Sequence, residues 1–499
     1  MVAWTVYISF LGALVLMFLP ATFARAARAI ALGAALASLA CAVIALVDYD
    51  LNAGIVTVQK LPWIPNLGIE YHLAIDGISL TLVLLTGIAA VVGILFSWNV
   101  EHRAKEFFAF YLALIGGVYG VFISFDLFLL FVFYEIAIIP KYFLIAIWGS
   151  TNREYGAMKL VLYSFVGSAM VLIGLIAAYV IAGSATGAYT FNLLELAKFK
   201  FPEQFQYWAF PLVFVGFAIL AGLWPFHTWA PTGHVAAPTA ASMLLAGVVM
   251  KLGAYGALRV AMTLFPLGLA AWRFEIAVLA TIGIVYGALV ALVQRDFKFV
   301  IGYSSVSHMG FVLLGLMTLT SIGLSGAVLQ MFSHGILASL LFAVVGRMVY
   351  DRTHTRELAD LEAMQLNRAM PFAAFTFVIA GLASMGMPGF SGFIAELQVL
   401  IGAWQAFPTL AIICGLGILI AVAYTLRAIQ KSFYSGQRLD TSAQNPVPLS
   451  TISIPERIGA LVLVVATVVV GLYPPILLNL IKSGFNSPLM APLVNGGPL

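Results

Sequence analysis

Apolar runs follow one another along the chain with little between them but short polar loops. A helix needs about 20 predominantly apolar residues to cross a hydrocarbon core about 30 Å thick. Fourteen runs meet that length, at 2–20, 27–47, 78–98, 107–125, 127–148, 158–182, 208–229, 237–262, 271–293, 297–318, 321–349, 371–405, 408–430 and 457–480. The fourth and fifth are parted only by Phe125 and Asp126, and they are separate because Val118 to Ser150 is too long for one crossing. The first, beginning at Val2, has no small-residue cleavage site after it and reads as a span. The pattern predicts an all-α polytopic membrane protein of about fourteen helices, with residues 1–499 forming a single membrane domain.

Two of the runs are interrupted. Pro225, Pro231 and Pro238 fall within Gly216 to Arg259, and Met387-Pro388-Gly389-Phe390-Ser391-Gly392 divides the overlong run at 371–405. Proline removes a backbone donor, which hydrocarbon tolerates only where protein or trapped water satisfies the freed groups. Transporter folds built from inverted repeats carry such broken helices in corresponding positions of their two halves, with ion sites at the interface. The two breaks lie five spans apart, so spans four to eight (107–262) and nine to thirteen (271–430) are expected to be inverted five-helix repeats, each with one broken helix.

Lysine and arginine are unevenly shared between the two faces. Alternating the loops puts sixteen on one face, among them Lys298, Arg347, Arg352 and Arg438, and six on the other: Lys60, Lys198, Lys200, Arg259, Arg273 and Lys482. The other two of the 24, Lys141 and Lys251, fall inside spans. The positive-inside rule then places both termini outside the cytoplasm.

Composition narrows the surroundings. The chain is 63% hydrophobic and 9% charged, against about 25% charged in soluble domains, so its surface is made for membrane lipids. A net charge of +4 is too small to imply nucleic acid. Cys41 and Cys414 lie in apolar runs without CxxC spacing, which indicates neither a disulfide framework nor an iron-sulfur site. No cofactor site and no metal site is expected in this chain.

The few ionisable groups inside spans carry the candidate chemistry. Lys251 falls at mid-membrane depth, where an ammonium costs at least about 2.5 to 3.5 kcal/mol and so marks a functional position. Glu135 lies about 14 Å into its span, and Glu396 follows the second break. Each has a bland alternative: a hydrogen-bonder between helices for Glu135 and Lys251, a helix-terminus acid for Glu396. His308 and His334 occupy successive spans, and imidazole changes charge near neutral pH, as a proton relay requires; packed core histidines are the alternative. His227 and His234 fall nearer the surface. These residues read as an ion path.

Several segments also resemble a known family: DGISLTLVLLTG, FYEIAIIPKYFLIAIWG, PFHTWAPTGHVAAPTAASMLLAGVVMKLGAYGALR, QRDFKFVIGYSSVSHMGFVLLG, GRMVYDRTHTRELADLEAM and GMPGFSGFIAELQVL. They are similar to the chain M family of bacterial NADH-quinone oxidoreductase, the antiporter-like subunits of respiratory complex I, equivalent to mitochondrial NADH dehydrogenase subunit 4. The resemblance covers roughly residues 70–435. It is shared less closely with subunits of multisubunit sodium/proton antiporters and of membrane-bound hydrogenases. It implies a proton-pumping subunit in the bacterial inner membrane, with neighbouring antiporter-like chains as partners and with NAD, flavin, iron-sulfur clusters and quinone held by other subunits. Glu135, Lys251, His308, His334 and Glu396 match the family's proton-path positions, and glutamate at 396 favours chain M over the antiporters, which usually carry lysine there. One position departs: Leu220 stands where the family has the lysine that pairs with the fifth-helix glutamate. Lys141, six residues beyond Glu135, is either a replacement partner for that acid or a lysine snorkelling to the surface. The departure also leaves open a structural subunit that does not pump.

Overall fold

The computed structural model describes residues 1–20, 22–434 and 449–494. Arg438 and the C-terminal residues 495–499 lie outside those described. Among the described residues, twelve helices are long and apolar enough to cross a membrane, from Ala24–Val47 to Ile454–Leu472. Ala3–Phe18 adds a shorter crossing, and Pro371–Ser384 with Ser391–Ala406 supplies the remaining one in two halves. The protein is thus the all-α polytopic membrane protein that the apolar runs predict. Both breaks fall where proline and glycine cluster: the seventh span divides into Glu203–Ala221 and Trp229–Ala236, the twelfth between Ser384 and Ser391. Gly386, in the second break, has φ +73°, a left-handed conformation that glycine adopts without strain.

Which helices can hold polar groups follows from where they sit. The eighth span, Thr239–Leu264, and the eleventh, Ser321–Thr353, are buried throughout, whereas the second, sixth (Arg153–Thr186) and fourteenth turn most of their surface outward. Lipid cannot satisfy a charge, so a path of ionisable side chains has to run through the buried helices. Both carry π-helical turns, Leu245–Val249 and Ala257–Ala261 in the eighth and Ala343–Tyr350 in the eleventh. Such turns are uncommon and recur at functional sites because they release carbonyls from the regular ladder. Gly247 and Gly335 let these two helices touch backbone to backbone: a Cβ on Gly335 would lie 2.6 Å from the Gly247 carbonyl oxygen.

One local construction occurs twice, at the starts of the fifth span, Leu127–Trp148, and the tenth, Phe297–Met317. Asp126 caps the fifth by accepting from the Phe128 and Leu129 amides at 2.9 and 3.0 Å, while Leu127 N donates to Phe191 O and Leu193 N to Phe125 O. Asp296 caps the tenth by accepting from Lys298 and Phe299 at 2.8 and 3.1 Å, while Phe297 N donates to Arg356 O and Leu358 N to Arg295 O. Five crossings separate the two, so they lie at opposite faces.

Two features depart from the sequence reading. A β-hairpin, β1 (Val56–Ile64) paired antiparallel with β2 (Ile69–Ile75), fills the loop between spans two and three; its strands are too short for period-two alternation to stand out beside twenty-residue apolar runs. Arg259, taken above as an outer-loop residue, is fully buried and paired with Asp76. Lys298 is also buried, donating to Ala237 O at 3.2 Å. An arginine near a helix end looks like a loop residue in one dimension, and only the facing carboxylate shows otherwise. Without these two, the sixteen-to-six asymmetry becomes fifteen to five, and its direction stands.

Candidate functional site

The site is assembled from four helices that the fold brings to the centre. Lys251 follows the π turn of the eighth span and donates both to the Ala246 carbonyl and to His334 Nδ1, the latter at 2.8 Å. The carbonyl is a fixed partner from its own helix; the imidazole comes from the eleventh span, held close by the Gly247–Gly335 approach. Because Nδ1 accepts from the lysine, a neutral His334 carries its proton on Nε2. His334 stacks on His308 of the tenth span, with ring centroids 5.5 Å apart and planes 29° from parallel.

His308 reaches the broken twelfth span from both nitrogens. Nδ1 lies 2.9 Å from Glu396 Oε1, in the second half, and Nε2 lies 3.1 Å from Ser384 Oγ, at the end of the first. A carboxylate only accepts, so Nδ1 carries the proton and Nε2 accepts from the serine hydroxyl. Gln330 Nε2 also donates to Glu396 Oε1, at 3.1 Å. Gln330 lies four residues before His334, on the same helix face, a spacing that would have revealed it in the sequence. Ser384 offered no such signal, being 76 residues from its partner. The break itself makes room for the acid: a Cβ on Gly386 would come 3.1 Å from Glu396 Oε2. Four of the predicted residues, Lys251, His334, His308 and Glu396, therefore form one chain of contacts across spans eight, eleven, ten and twelve.

Glu135 and Lys141 stand apart from it. Lys141 is only 1% exposed, so its ammonium does not reach any surface, and the snorkelling alternative fails. It makes no ion pair with Glu135 within 4 Å either; Lys141 Nζ and Glu135 Oε1 both lack a hydrogen-bond partner. Leu220, where the resemblance implies a lysine, is buried among apolar side chains. An unpartnered buried ammonium costs several kcal/mol, so Lys141→Met is expected to raise the stability of the protein by about 1 to 4 kcal/mol, the gain seen when buried charges become apolar. If Lys141 also sets the charge state of Glu135, the same variant couples less well. Thermal denaturation and proton uptake of the variant complex check both; lower stability would show that Nζ holds a partner of its own.

His227, inside the seventh-span break, and His234, in the helix that follows it, are both buried rather than near the surface, and neither ring nitrogen of either has a hydrogen-bond partner. Outside the chain of contacts, Asp76 and Arg259 form the most deeply buried ion pair: both side chains are fully enclosed, with nitrogen and oxygen 2.7 Å apart. Among the described residues, no group of three or more His, Cys, Asp or Glu side chains is arranged to hold a metal ion.

This arrangement can be set beside known proteins. Residues 124–421 match the family described as NADH:quinone oxidoreductase/Mrp antiporter, TM. The chain belongs to that family. Curated relatives within it include NADH-quinone oxidoreductase subunit M of Rhodobacter capsulatus, 36% identical over 92% of this chain and 89% of the relative. Another is subunit M of Escherichia coli K12, 37% identical over 84% and 82%. Among solved structures, a chain of respiratory complex I from Thermus thermophilus superposes with a TM-score of 0.86 at 29% identity, over 98% of this chain and all of that one. A chain of the Mrp complex from Dietzia sp. DQ12-45-1b superposes at 0.84 with 21% identity, over 98% and 97%, and shares the fold. The residues in contact at the centre, 251 to 396, fall within the family's matched segment.

Proposed function

We propose that this chain is a proton-translocating, antiporter-like subunit in the membrane arm of an NADH-quinone oxidoreductase. The observation that carries this reading is the unbroken sequence of titratable contacts from Lys251 through His334 and His308 to Glu396, four side chains that are all buried inside the protein. Lys251 gives a proton to His334 Nδ1; His334 releases one from Nε2 toward His308, across the stacked rings and the small cavity that both line. His308, protonated at Nε2, passes its Nδ1 proton to Glu396. Each step moves a proton between groups about 3 Å apart or across roughly one water. Glu135 and Lys141 act as a separate electrostatic switch, since moving either charge changes the proton affinity of the other. Energy comes from redox chemistry elsewhere: NAD, flavin, iron-sulfur clusters and quinone belong to other subunits, and this chain holds no cofactor. Residues 107–262 and 271–430 are the two inverted repeats, a division supported by the duplicated Asp126 and Asp296 caps.

Coupled assay of quinone reduction and proton uptake in proteoliposomes, comparing the complex with its Lys251 variant, tests the reading. Normal uptake in that variant would leave a structural, non-pumping subunit, the reading that Leu220 favours.

The chain also belongs, in this proposal, to the bacterial inner membrane, with both termini outside the cytoplasm, as the fifteen-to-five basic asymmetry supports. Cysteine placed at Met364, an exposed position after the eleventh span, is expected to react with an impermeant maleimide only from the cytoplasmic side. Cysteine at Asn52, before the hairpin, is expected to react only from the other. Reversed labelling would invert the orientation.

A further inference from the structure

His308 Nε2, which receives the proton in the path just described, also lies 3.1 Å from Ser384 Oγ, and what lies beyond Ser384 is unassigned. Two small cavities, each with about 10 Å³ of free volume, adjoin there and share Ile301, Ser304, Leu341 and Ser384. Free volume of that size holds about one water where polar partners are available. They are available: the first cavity is lined by His308 and Glu396, the second by Tyr424 and Thr425, and the Tyr424 hydroxyl donates to Ser304 Oγ at 2.8 Å.

The direction of the second cavity follows from helix polarity. Val300 and Ile301 lie in the first turn of the tenth span, Phe377 about two turns into the twelfth, and Ala428 in the last turns of the thirteenth, Pro408–Tyr434. All three point to the face that carries the basic loops. At that end three phenylalanines close the way. Phe297 and Phe377 are 4.9 Å apart, Phe377 and Phe433 5.5 Å, and Phe297 and Phe433 6.4 Å between ring centroids, each buried. Phe377 also lines the cavity itself.

We propose that this is a second access route, leading from the basic-loop face to the His308–Glu396 pair by way of Tyr424, Ser304 and Ser384, and plugged by Phe297, Phe377 and Phe433. It rests on the proton-translocation reading and adds to it the point at which protons reach the second half of the chain. A proton arriving from the basic-loop face passes to a water beside Ser304 and Tyr424, and that water, left neutral, gives one to Ser384 Oγ as the serine hydroxyl proton passes to His308 Nε2. His308 then releases its Nδ1 proton to Glu396, so one proton enters, one arrives at the carboxylate, and the serine is regenerated. The aromatic rings offer water no hydrogen bond, so the route conducts only when they part.

The test uses the assembled complex in sealed vesicles. Ser304→Cys is treated with ethylammonium methanethiosulfonate from one face at a time, and modification is followed by mass spectrometry, a readout independent of turnover. Adding Phe377→Ala, which removes a ring from the plug, is expected to speed modification about tenfold, the effect of easing local opening by one decade, and only from the basic-loop face. Phe433→Ala is the second opening of the same plug should Phe377→Ala fail to assemble. Tyr424→Phe keeps the ring and removes the hydroxyl, and is expected to slow proton uptake about tenfold by removing a group that, with Ser304, positions the donating water. Equal modification with and without the plug, or modification from the opposite face, overturns the route. If a Lys251 variant is silent while Tyr424→Phe pumps normally and position 304 stays unreactive, the route alone fails; if the Lys251 variant pumps, the underlying reading fails.

Discussion

Lys251→Met is expected to leave the complex assembled and to reduce the proton uptake carried by this subunit at least about 100-fold, the lower range for a positioned acid-base group. Two opposed effects keep the fold intact. Removing a fully buried ammonium relieves a desolvation cost of several kcal/mol, and methionine fills nearly the same space. His334 Nδ1 loses its donor at 2.8 Å, which costs about 1 to 3 kcal/mol for a buried acceptor left unsatisfied. The balance is near zero, so a pumping defect in this variant reports chemistry and not unfolding. Proteoliposomes assayed for quinone reduction and proton uptake together provide the measurement, and intact uptake with normal assembly would remove Lys251 from the path.

Asp76→Asn is expected to act in the opposite way, through stability. Asp76 has two structural duties at once. Its Oδ1 accepts from the Ser79 amide at 2.9 Å, capping the third span, Gly77–Phe96, and both oxygens face Arg259, which lies 183 residues away. Asparagine keeps the cap and removes the charge. The amide oxygen that keeps the cap can still accept from Arg259 Nη2, but no anion then balances the fully buried guanidinium, whose other contacts are the Tyr255 hydroxyl at 3.2 Å and the Phe125 and Tyr255 rings at 5.1 and 5.2 Å. Breaking a buried pair by removing one partner typically costs about 3 to 5 kcal/mol, a large part of the stability of an ordinary domain. Membranes should therefore contain little assembled subunit, measured by immunoblot and by thermal denaturation of what remains. The double variant Asp76→Asn with Arg259→Met removes both charges and is expected to recover part of the loss. An Asp76→Asn protein as stable as the parent would show that water or a partner subunit compensates the arginine.

These two residues also mark how far the sequence could be read. Lys251 was visible because a charge in the middle of an apolar run has one physical meaning: something must stabilise it. Asp76 and Arg259 each sat at the edge of a run, where a charge costs nothing if it faces water. Edge residues become informative only when their neighbours in space are known, and so Arg259 was misread as a loop residue while Lys251 was not. The same limit explains Ser384 and Tyr424, ordinary hydroxyls whose partners lie 76 and 120 residues away.

What the sequence determined by itself is the part that the membrane dictates. Hydrocarbon imposes a run length of about 20 residues, penalises every proline and charge, and biases basic loops to one side. The fourteen crossings, the two breaks near Pro225 and Pro388, and the candidates Glu135, Lys251, His308, His334 and Glu396 followed from those rules and from the resemblance. What only the tertiary structure decided is which of these groups touch. Helix periodicity says which face a residue occupies but not which helix it meets, and the pairing of spans eight, eleven, ten and twelve depends on close backbone contacts such as Gly247 with Gly335. That packing placed Lys251, His334, His308 and Glu396 in one chain of contacts, and left Lys141 buried near Glu135 without an ion pair to it.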